Sequence, residues 1–286
     1  MSTLHYKLLN KRQRTFASDI FISLIAIAVG VIIVFPVIYC VAIAFKARPE
    51  LTVFPPTVLP NSFTYFENFE NVFRVAPMMR FMLNTFIVAA MGCTLRIGFA
   101  ILAAYAFTYF SFPGKTFLFG LILGTMMLPS DTLVVTNYLT IIRFNMLDNY
   151  FAMTITGLVG ASQMFMLRQN MKSIPLSYRD AAFIDGCGDL RYLSLMVIPF
   201  ARPVILILMV QSFISFWNAY LWPLLVTTRI EMRTVQIGVA MLTNPLETNF
   251  TLVLAAVTII LIPSFILFIF LRLVVVKGIE SGALVG

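Results

Sequence analysis

Residues Ile174 to Pro199 read IPLSYRDAAFIDGCGDLRYLSLMVIP, a charged and turn-broken island between two long apolar runs. Tyr178, Arg179, Asp180, Asp185, Asp189 and Arg191 surround the Ala181-Ala182 pair and the glycines Gly186 and Gly188. Such a stretch is too polar to cross a bilayer, where an ionised side chain near the centre costs about 2.5–3.5 kcal/mol on insertion scales. It is also too rich in Ala, Leu and Arg to be a slack linker. It reads as a short helical docking element, held in the cytoplasm by the helices on either side and presented to a partner protein. The plainer reading of Asp180, Asp185 and Asp189 is an exposed, solvated helix start, and nothing pairs them in a pocket for acid/base work.

Outward from the island, composition sets the class. The chain of 286 residues is 60% hydrophobic and 11% charged, with a mean hydropathy of +0.94, whereas soluble domains carry about a quarter charged residues. An all-α, polytopic membrane protein follows, because each span needs about 20 apolar residues. About six spans are predicted, at 19–45, 82–110, 116–139, 150–170, 201–226 and 249–273. The transmembrane domain is therefore 19–273, with a tail at 1–18, an outer loop at 46–81, the inner loop at 171–200 and a second tail at 274–286. The basic N-terminal stretch (Lys7, Lys11, Arg12, Arg14) precedes an apolar run too long for a signal-peptide core and without an A-x-A site.

The formal net charge of +8 raises nucleic acid as a partner, but its distribution argues for topology instead. With the N-terminus inside, inner segments hold Lys7, Lys11, Arg12, Arg14, Lys115, Arg168, Lys172, Arg179, Arg191, Arg202, Arg272 and Lys277. Outer ones hold Lys46, Arg48, Arg74, Arg80, Arg143, Arg229 and Arg233. That bias predicts both termini in the cytoplasm of a cell with this chain in its plasma membrane, in contact with lipid and not with nucleic acid.

Loops and breaks are punctuated by turn chemistry. The outer loop carries the turn-rich PPTVLPNSF and then ENFENVF, which reads as a short amphipathic surface helix. Span three holds Pro129 near its middle, so the helix should kink or open there. Span four reads as featureless, and span six holds Pro263. The cysteines Cys40, Cys93 and Cys187 have no paired spacing, so neither a disulfide frame nor a metal site is suggested.

Few residues can carry chemistry. The single histidine, His5, lies in a tail, and no GxxxxGK[ST] phosphate loop occurs, so neither histidine catalysis nor nucleotide hydrolysis of that type is expected. Arg96 and Asp131 are charges within spans. They line a gate or aqueous path, pair with each other, or snorkel to an interface. Trp217-Asn218-Ala219-Tyr220-Leu221-Trp222-Pro223 sets aromatic rings beside an amide, which suits stacking on a sugar face, or else forms an interfacial aromatic belt. A secondary transporter would need coupling-ion acids or matched half-repeats, and a membrane enzyme a nucleophile or metal cluster; neither pattern is visible.

The island resembles the cytoplasmic signature of bacterial ABC-importer permeases, which runs EAA, three residues, G, nine residues, I-x-LP. Asp180-Ala181-Ala182, Gly186 and Met196-Val197-Ile198-Pro199 fall in that register. Asp180 stands for the usual Glu, Met196 and Ile198 for Ile and Leu, and Cys187 for a common Ala. Asn84-Thr85-Phe86, Ala104-Tyr105-Ala106-Phe107, Phe112-Pro113-Gly114-Lys115, Met127-Leu128-Pro129, Leu167-Arg168-Gln169, the Trp217–Leu224 run and Lys277-Gly278-Ile279-Glu280-Ser281-Gly282 extend the likeness. The nearest branch is the second permease subunit of carbohydrate-uptake systems, such as those for maltose, multiple sugars and sn-glycerol-3-phosphate.

That resemblance implies a type I importer permease that is itself not an enzyme and holds no cofactor. Its partners would be a homologous second permease, two cytoplasmic ATPase subunits carrying ATP and Mg, and an extracytoplasmic substrate-binding protein. Tyr178, Arg179, Asp180, Ala181, Ala182, Asp185, Gly186 and Pro199 would belong to two short coupling helices, with Asp180 near the start of the first and Gly186 at the turn. Arg96, Asp131, Asn137, Trp217, Asn218 and Tyr220 would face the path of a sugar or oligosaccharide, or of a glycerol phosphate.

Overall fold

Long apolar runs fold as helices because hydrocarbon offers backbone N–H and C=O groups no partner. A computed structural model describes residues 2–243 and 249–283, and within them the side chains of 19–129, 132–243, 249–266 and 269. Among the described residues every regular element is helical. Three helical stretches are long and apolar enough to cross a membrane, Asp19–Ala44, Met78–Tyr109 and Asp189–Trp217, with shorter apolar helices at Lys115–Met127 and Phe250–Ile266. The chain divides into two compact units, 1–72 with 243–259 and 73–242 with 260–286.

The first unit holds α1 (Ser2–Ala44), most of α2 (Glu67–Val75) and the start of α13 (Phe250–Ala283). The expected tail at 1–18 is helical from Ser2 and continuous with the first span; its side chains lie outside the described residues. After α1 the chain is pinned by polar bonds. Asn68 on α2 donates Nδ2 to the carbonyls of Ala44 and Lys46, both at 2.8 Å. Lys46, which is buried, reaches the carbonyl and hydroxyl of Thr57. The ring of Phe45 packs on Phe63, Phe66 and Phe69.

The second unit is organised around α3 (Met78–Tyr109). Buried Ala89, Gly92, Cys93, Ala100 and Ala104 recur at helical spacing on it, and small residues let neighbouring helices approach closely. Against α3 pack α7 (Ala161–Met171) and α10 (Ile198–Trp217). Their shared core joins Ile97, Ala100 and Ala104 to Met164, Leu167 and Met171, and to Ala201, Ile205 and Leu208.

Span three opens where its proline predicts. Helix α4 (Lys115–Gly124) tightens into a 3₁₀ turn at Thr125–Met127; Leu128, ahead of Pro129, is extended; a second 3₁₀ turn at Ser130–Leu133 then leads into α5 (Val134–Arg143). The ring of a proline disfavours helical backbone in the residue before it, which accounts for the break at Leu128.

Span four departs from its featureless reading: α6 (Tyr150–Ile155) and α7 are separated by an interruption over 156–160. Span five starts earlier and ends sooner than expected. Helix α9 (Asp189–Tyr192) runs through a π turn at Leu193–Val197 into α10, which stops at Trp217, and α11 (Leu221–Val226) is separate. Pro223 has no N–H to give the Ala219 carbonyl, which weakens the helical ladder across the gap between α10 and α11. Helix α12 (Val235–Met241) follows, and α13 continues through Pro263 beyond the expected end at residue 273.

Candidate functional site

The island folds as α8 (Leu176–Ile184), a tight turn, and α9. Pro175 sets the start of α8, so Asp180 lies one turn inside the helix rather than at its beginning. The helix ends in a Schellman arrangement. The N–H of Cys187 donates to the carbonyl of Ala182 at 2.9 Å, and that of Gly186 to Phe183 at 3.1 Å. This needs left-handed backbone at the residue after the cap, and Gly186 adopts φ +76°. The second expected coupling helix is not a separate element: α9 is the first turn of the Asp189–Trp217 stretch.

Two faces of the island separate cleanly. Tyr178, Asp180, Ala181, Asp185 and Pro199 are exposed, as are the apolar side chains of Ile184 (85%) and Leu190 (77%). Ala182 turns inward against the core. Arg179 also turns inward, against the expectation that it faces a partner. Its Nη2 lies 3.2 Å from Oδ1 of Asp189, and its guanidinium sits 4.8 Å from the Phe183 ring centre and 5.5 Å from that of Tyr109. Asp189 is likewise only half-buried rather than free, since the hydroxyl of Tyr105 on α3 donates to the same Oδ1 at 2.7 Å.

Arg96 does not pair with an acid among the described residues. It donates Nε–H to the carbonyl of Gly157 at 2.5 Å, inside the α6–α7 interruption, and its guanidinium lies 4.3 Å from the ring centre of Phe216 on α10. The interruption thus exposes a carbonyl, and the arginine occupies it. Beside it, Phe99, Ala103, Ile122, Val159 and Met164 line a cleft of about 420 Å³. That lining is apolar and suits acyl chains or a helix better than a hydroxylated solute.

The other expected path residues fall in different places. Asp131 is on the 3₁₀ turn after Pro129, and its side chain lies outside the described residues. Asn137 is half-buried on α5. Trp217, at 8% exposure, stacks on Phe213 and leaves its indole Nε1 buried without a protein partner. Asn218 and Tyr220 are exposed at the end of α10, where Nε2 of Gln236 on α12 approaches Oδ1 of Asn218 at 3.4 Å. Trp222 has a structural duty, donating Nε1–H to the carbonyl of Ala152 at 2.9 Å.

Two polar hubs escaped the sequence reading. Fully buried Asn84 donates Nδ2 to the carbonyls of Glu231 and Arg233 at 2.7 and 2.9 Å and accepts from the Tyr150 hydroxyl at 2.8 Å. Asp148 accepts from the Thr228 N–H at 2.7 Å, the Thr228 hydroxyl at 2.5 Å and the Arg229 N–H at 2.9 Å. Burial pushes the Asp148 carboxyl up, but these bonds and the nearby Arg229 outweigh it and hold it below its ordinary value. The signals were present: an asparagine opening an apolar helix, and an Asn-x-x-Asp turn whose Asn145 and Asp148 take left-handed backbone.

Comparison with known proteins bears on this arrangement. The model of the family described as binding-protein-dependent transport system inner membrane component matches residues 71–279. The sn-glycerol-3-phosphate transport system permease protein UgpE of Yersinia pestis bv. Antiqua (strain Antiqua) is 29% identical over 272 residues, 92% of this chain and 96% of that protein. UgpE of Escherichia coli O1:K1 / APEC is 29% identical over 259 residues, 88% of this chain and 92% of that protein. A chain from the crystal structure of a bacterial ABC transporter involved in the import of the acidic polysaccharide alginate matches with a TM-score of 0.78 at 21% identity, over 92% of this chain and 96% of that one.

Proposed function

Because the chain belongs to the family of binding-protein-dependent transport system inner membrane components, we propose that it is a permease subunit of an ATP-driven importer for a hydroxyl-rich solute, a sugar, an oligosaccharide or a glycerol phosphate. It would form half of a translocation path with a homologous permease, receive solute from an extracytoplasmic binding protein and sit on two ATPase subunits. The chain would bind no nucleotide or metal itself. Both termini and the island would be cytoplasmic, as the distribution of Lys and Arg favours.

The observation that carries this reading is the island's division of labour. An exposed apolar ridge, Ile184 and Leu190, is presented outward while Arg179 and Ala182 fix its back to the membrane helices. Such a ridge is costly to leave in water and suits a cleft on a partner. Closure of two ATPases on ATP would move the docked helix as a lever and switch the path between two faces. Asn218 and Tyr220, beside Gln236, would meet solute hydroxyls, while Arg96 is already engaged with Gly157 and Phe216. The two relatives named above are sn-glycerol-3-phosphate permeases, which supports import of a sugar, an oligosaccharide or a glycerol phosphate without favouring the last.

The test is ATP hydrolysis by the complete importer in lipid vesicles with its binding protein, against a panel of sugars and glycerol phosphates. Stimulation by one solute that is abolished by Asp180→Lys with Gly186→Pro supports the reading and names the cargo. Stimulation that survives both substitutions overturns the docking role of the island.

A further inference from the structure

We propose that Oδ1 of Asp189 is the mechanical joint of this permease, through which displacement of α8 reaches the membrane helices, with Arg179 and Tyr105 as its positioning partners. The proposal rests on the reading of α8 as the ATPase-docking helix and adds how the motion leaves it. It also reassigns Arg179, expected at the docking surface, to the inside of the chain.

One oxygen atom ties three elements. Oδ1 of Asp189, the first residue of the stretch that becomes α10, accepts from the Tyr105 hydroxyl near the end of α3 at 2.7 Å and lies 3.2 Å from Arg179 Nη2 on α8. A charge-assisted bond is shorter and about twice as strong as a neutral one, and it fixes direction as well as distance. The aromatic rings around Arg179 hold its guanidinium in place, so α8 cannot shift without dragging the carboxylate. The turn between α8 and α9 would otherwise be the natural place to absorb a push, since Gly186 and Gly188 have open space around them. The ion pair spans that turn and short-circuits it.

The joint is also unfinished in this conformation. Nε of Arg179 is buried without a hydrogen-bond partner, and Tyr192 packs edge-on against Tyr109 at 5.7 Å. A buried polar atom left unpaired is costly, so a second arrangement that pairs this nitrogen would compete with the first. The π turn at Leu193–Val197 lies directly downstream, and such turns are frequent at functional sites. A carboxylate fixed by two donors, a buried guanidinium nitrogen without a partner and a π turn together describe a two-position element rather than a static brace.

The experiment uses the complete importer in lipid vesicles and reads solute moved per ATP hydrolysed. Asp189→Asn and Tyr105→Phe should keep the ATPase bound and hydrolysing. The transport ratio should fall about fivefold or more with Asp189→Asn, the lower range of coupling between sites, and by a smaller factor with Tyr105→Phe. Arg179→Lys should recover most of the ratio lost in Arg179→Met. An unchanged ratio in both Asp189→Asn and Tyr105→Phe overturns the joint, as does release of the ATPase by Asp189→Asn, which would make it a docking contact. If Asp189→Asn fails to yield a monodisperse complex, Tyr105→Phe, which removes a single oxygen atom, decides alone. Ile184→Glu separates the two claims: if it leaves the ATPase bound, the docking reading of α8 fails, whatever the Asp189 variants do.

Discussion

The Nε–H of Arg96 on α3 meets the carbonyl of Gly157 in the gap between α6 and α7, with the Phe216 ring of α10 on the guanidinium face. One side chain thereby satisfies a carbonyl that a broken helix would leave bare in hydrocarbon, and stitches three helical segments together. The glycine suits the space: a Cβ at Gly157 would meet Arg96 Nη2 at 2.8 Å and the Phe216 ring at 2.9 Å, so both side chains would have to shift. Gly157→Ala should lower stability by about 1–3 kcal/mol, the usual cost of overpacking a filled site. Thermal unfolding of the purified subunit in detergent measures it, and an unshifted midpoint would count against the stitch.

Asn84 is a more sensitive position, because its amide nitrogen faces two carbonyls and its oxygen faces a hydroxyl. Asn84→Ala should cost about 1–3 kcal/mol for each buried partner left unpaired. Asn84→Asp should be worse despite its identical shape, since an oxygen would then oppose two carbonyl oxygens. The order of unfolding midpoints, wild type above Ala above Asp, is the check.

Asp148 gives the fold a dependence on acid. Its folded carboxyl titrates below the ordinary value of 3.8, so the stabilisation is present in full above that value and is lost as pH falls through the lowered one. Hydrogen bonds to a charged group are worth about 1.5–3 kcal/mol. Asp148→Asn should therefore unfold at lower temperature than wild type at neutral pH, and the gap should close under strongly acidic conditions. A gap that is constant with pH would mean that charge has no part in the clasp.

Gly186 tests the island's geometry apart from its chemistry. An L side chain in left-handed backbone costs about 1–2 kcal/mol, and open space around the residue removes any clash term. To the extent that the free turn relaxes out of left-handed backbone to escape this strain, Gly186→Ala should weaken ATPase association, by at most about tenfold for each 1.4 kcal/mol. The transition of the membrane helices should hardly move. Co-purification at graded salt and protein concentration reads the first, and thermal unfolding reads the second.

Local chemistry was legible in the sequence and long-range pairing was not. Pro129 announces its own break because a proline disturbs only the residues beside it, and Gly186 marks a turn for the same reason. The interruption at 156–160 was missed because hydropathy averages over side chains and does not register a backbone carbonyl turned away from its helix. The partner of that carbonyl sits 61 residues away in Arg96, beyond the reach of any periodicity. Arg179 was misplaced for a related reason: on a short helix its neighbours in sequence are exposed, and only the fold supplies Asp189 and Tyr109 behind it. The end of α10 at Trp217 was not announced by Pro223 alone, since α1, α10 and α13 run through Pro36, Pro203 and Pro263.

Ordinary helix advances about 100° and 1.5 Å with each residue, whereas the turn at Leu193–Val197 carries one residue more than that helix would need. The wider turn absorbs that surplus, so the helix on either side keeps its facing. Deleting one residue within 193–197 would let the stretch wind as plain α-helix with Asp189 close to its present bearing, whereas a deletion in the plain helix beyond it would swing Asp189 by about 100° around the axis of α10. The spare residue at this one turn therefore leaves room for a change of chain length without turning the island away from the surface it presents.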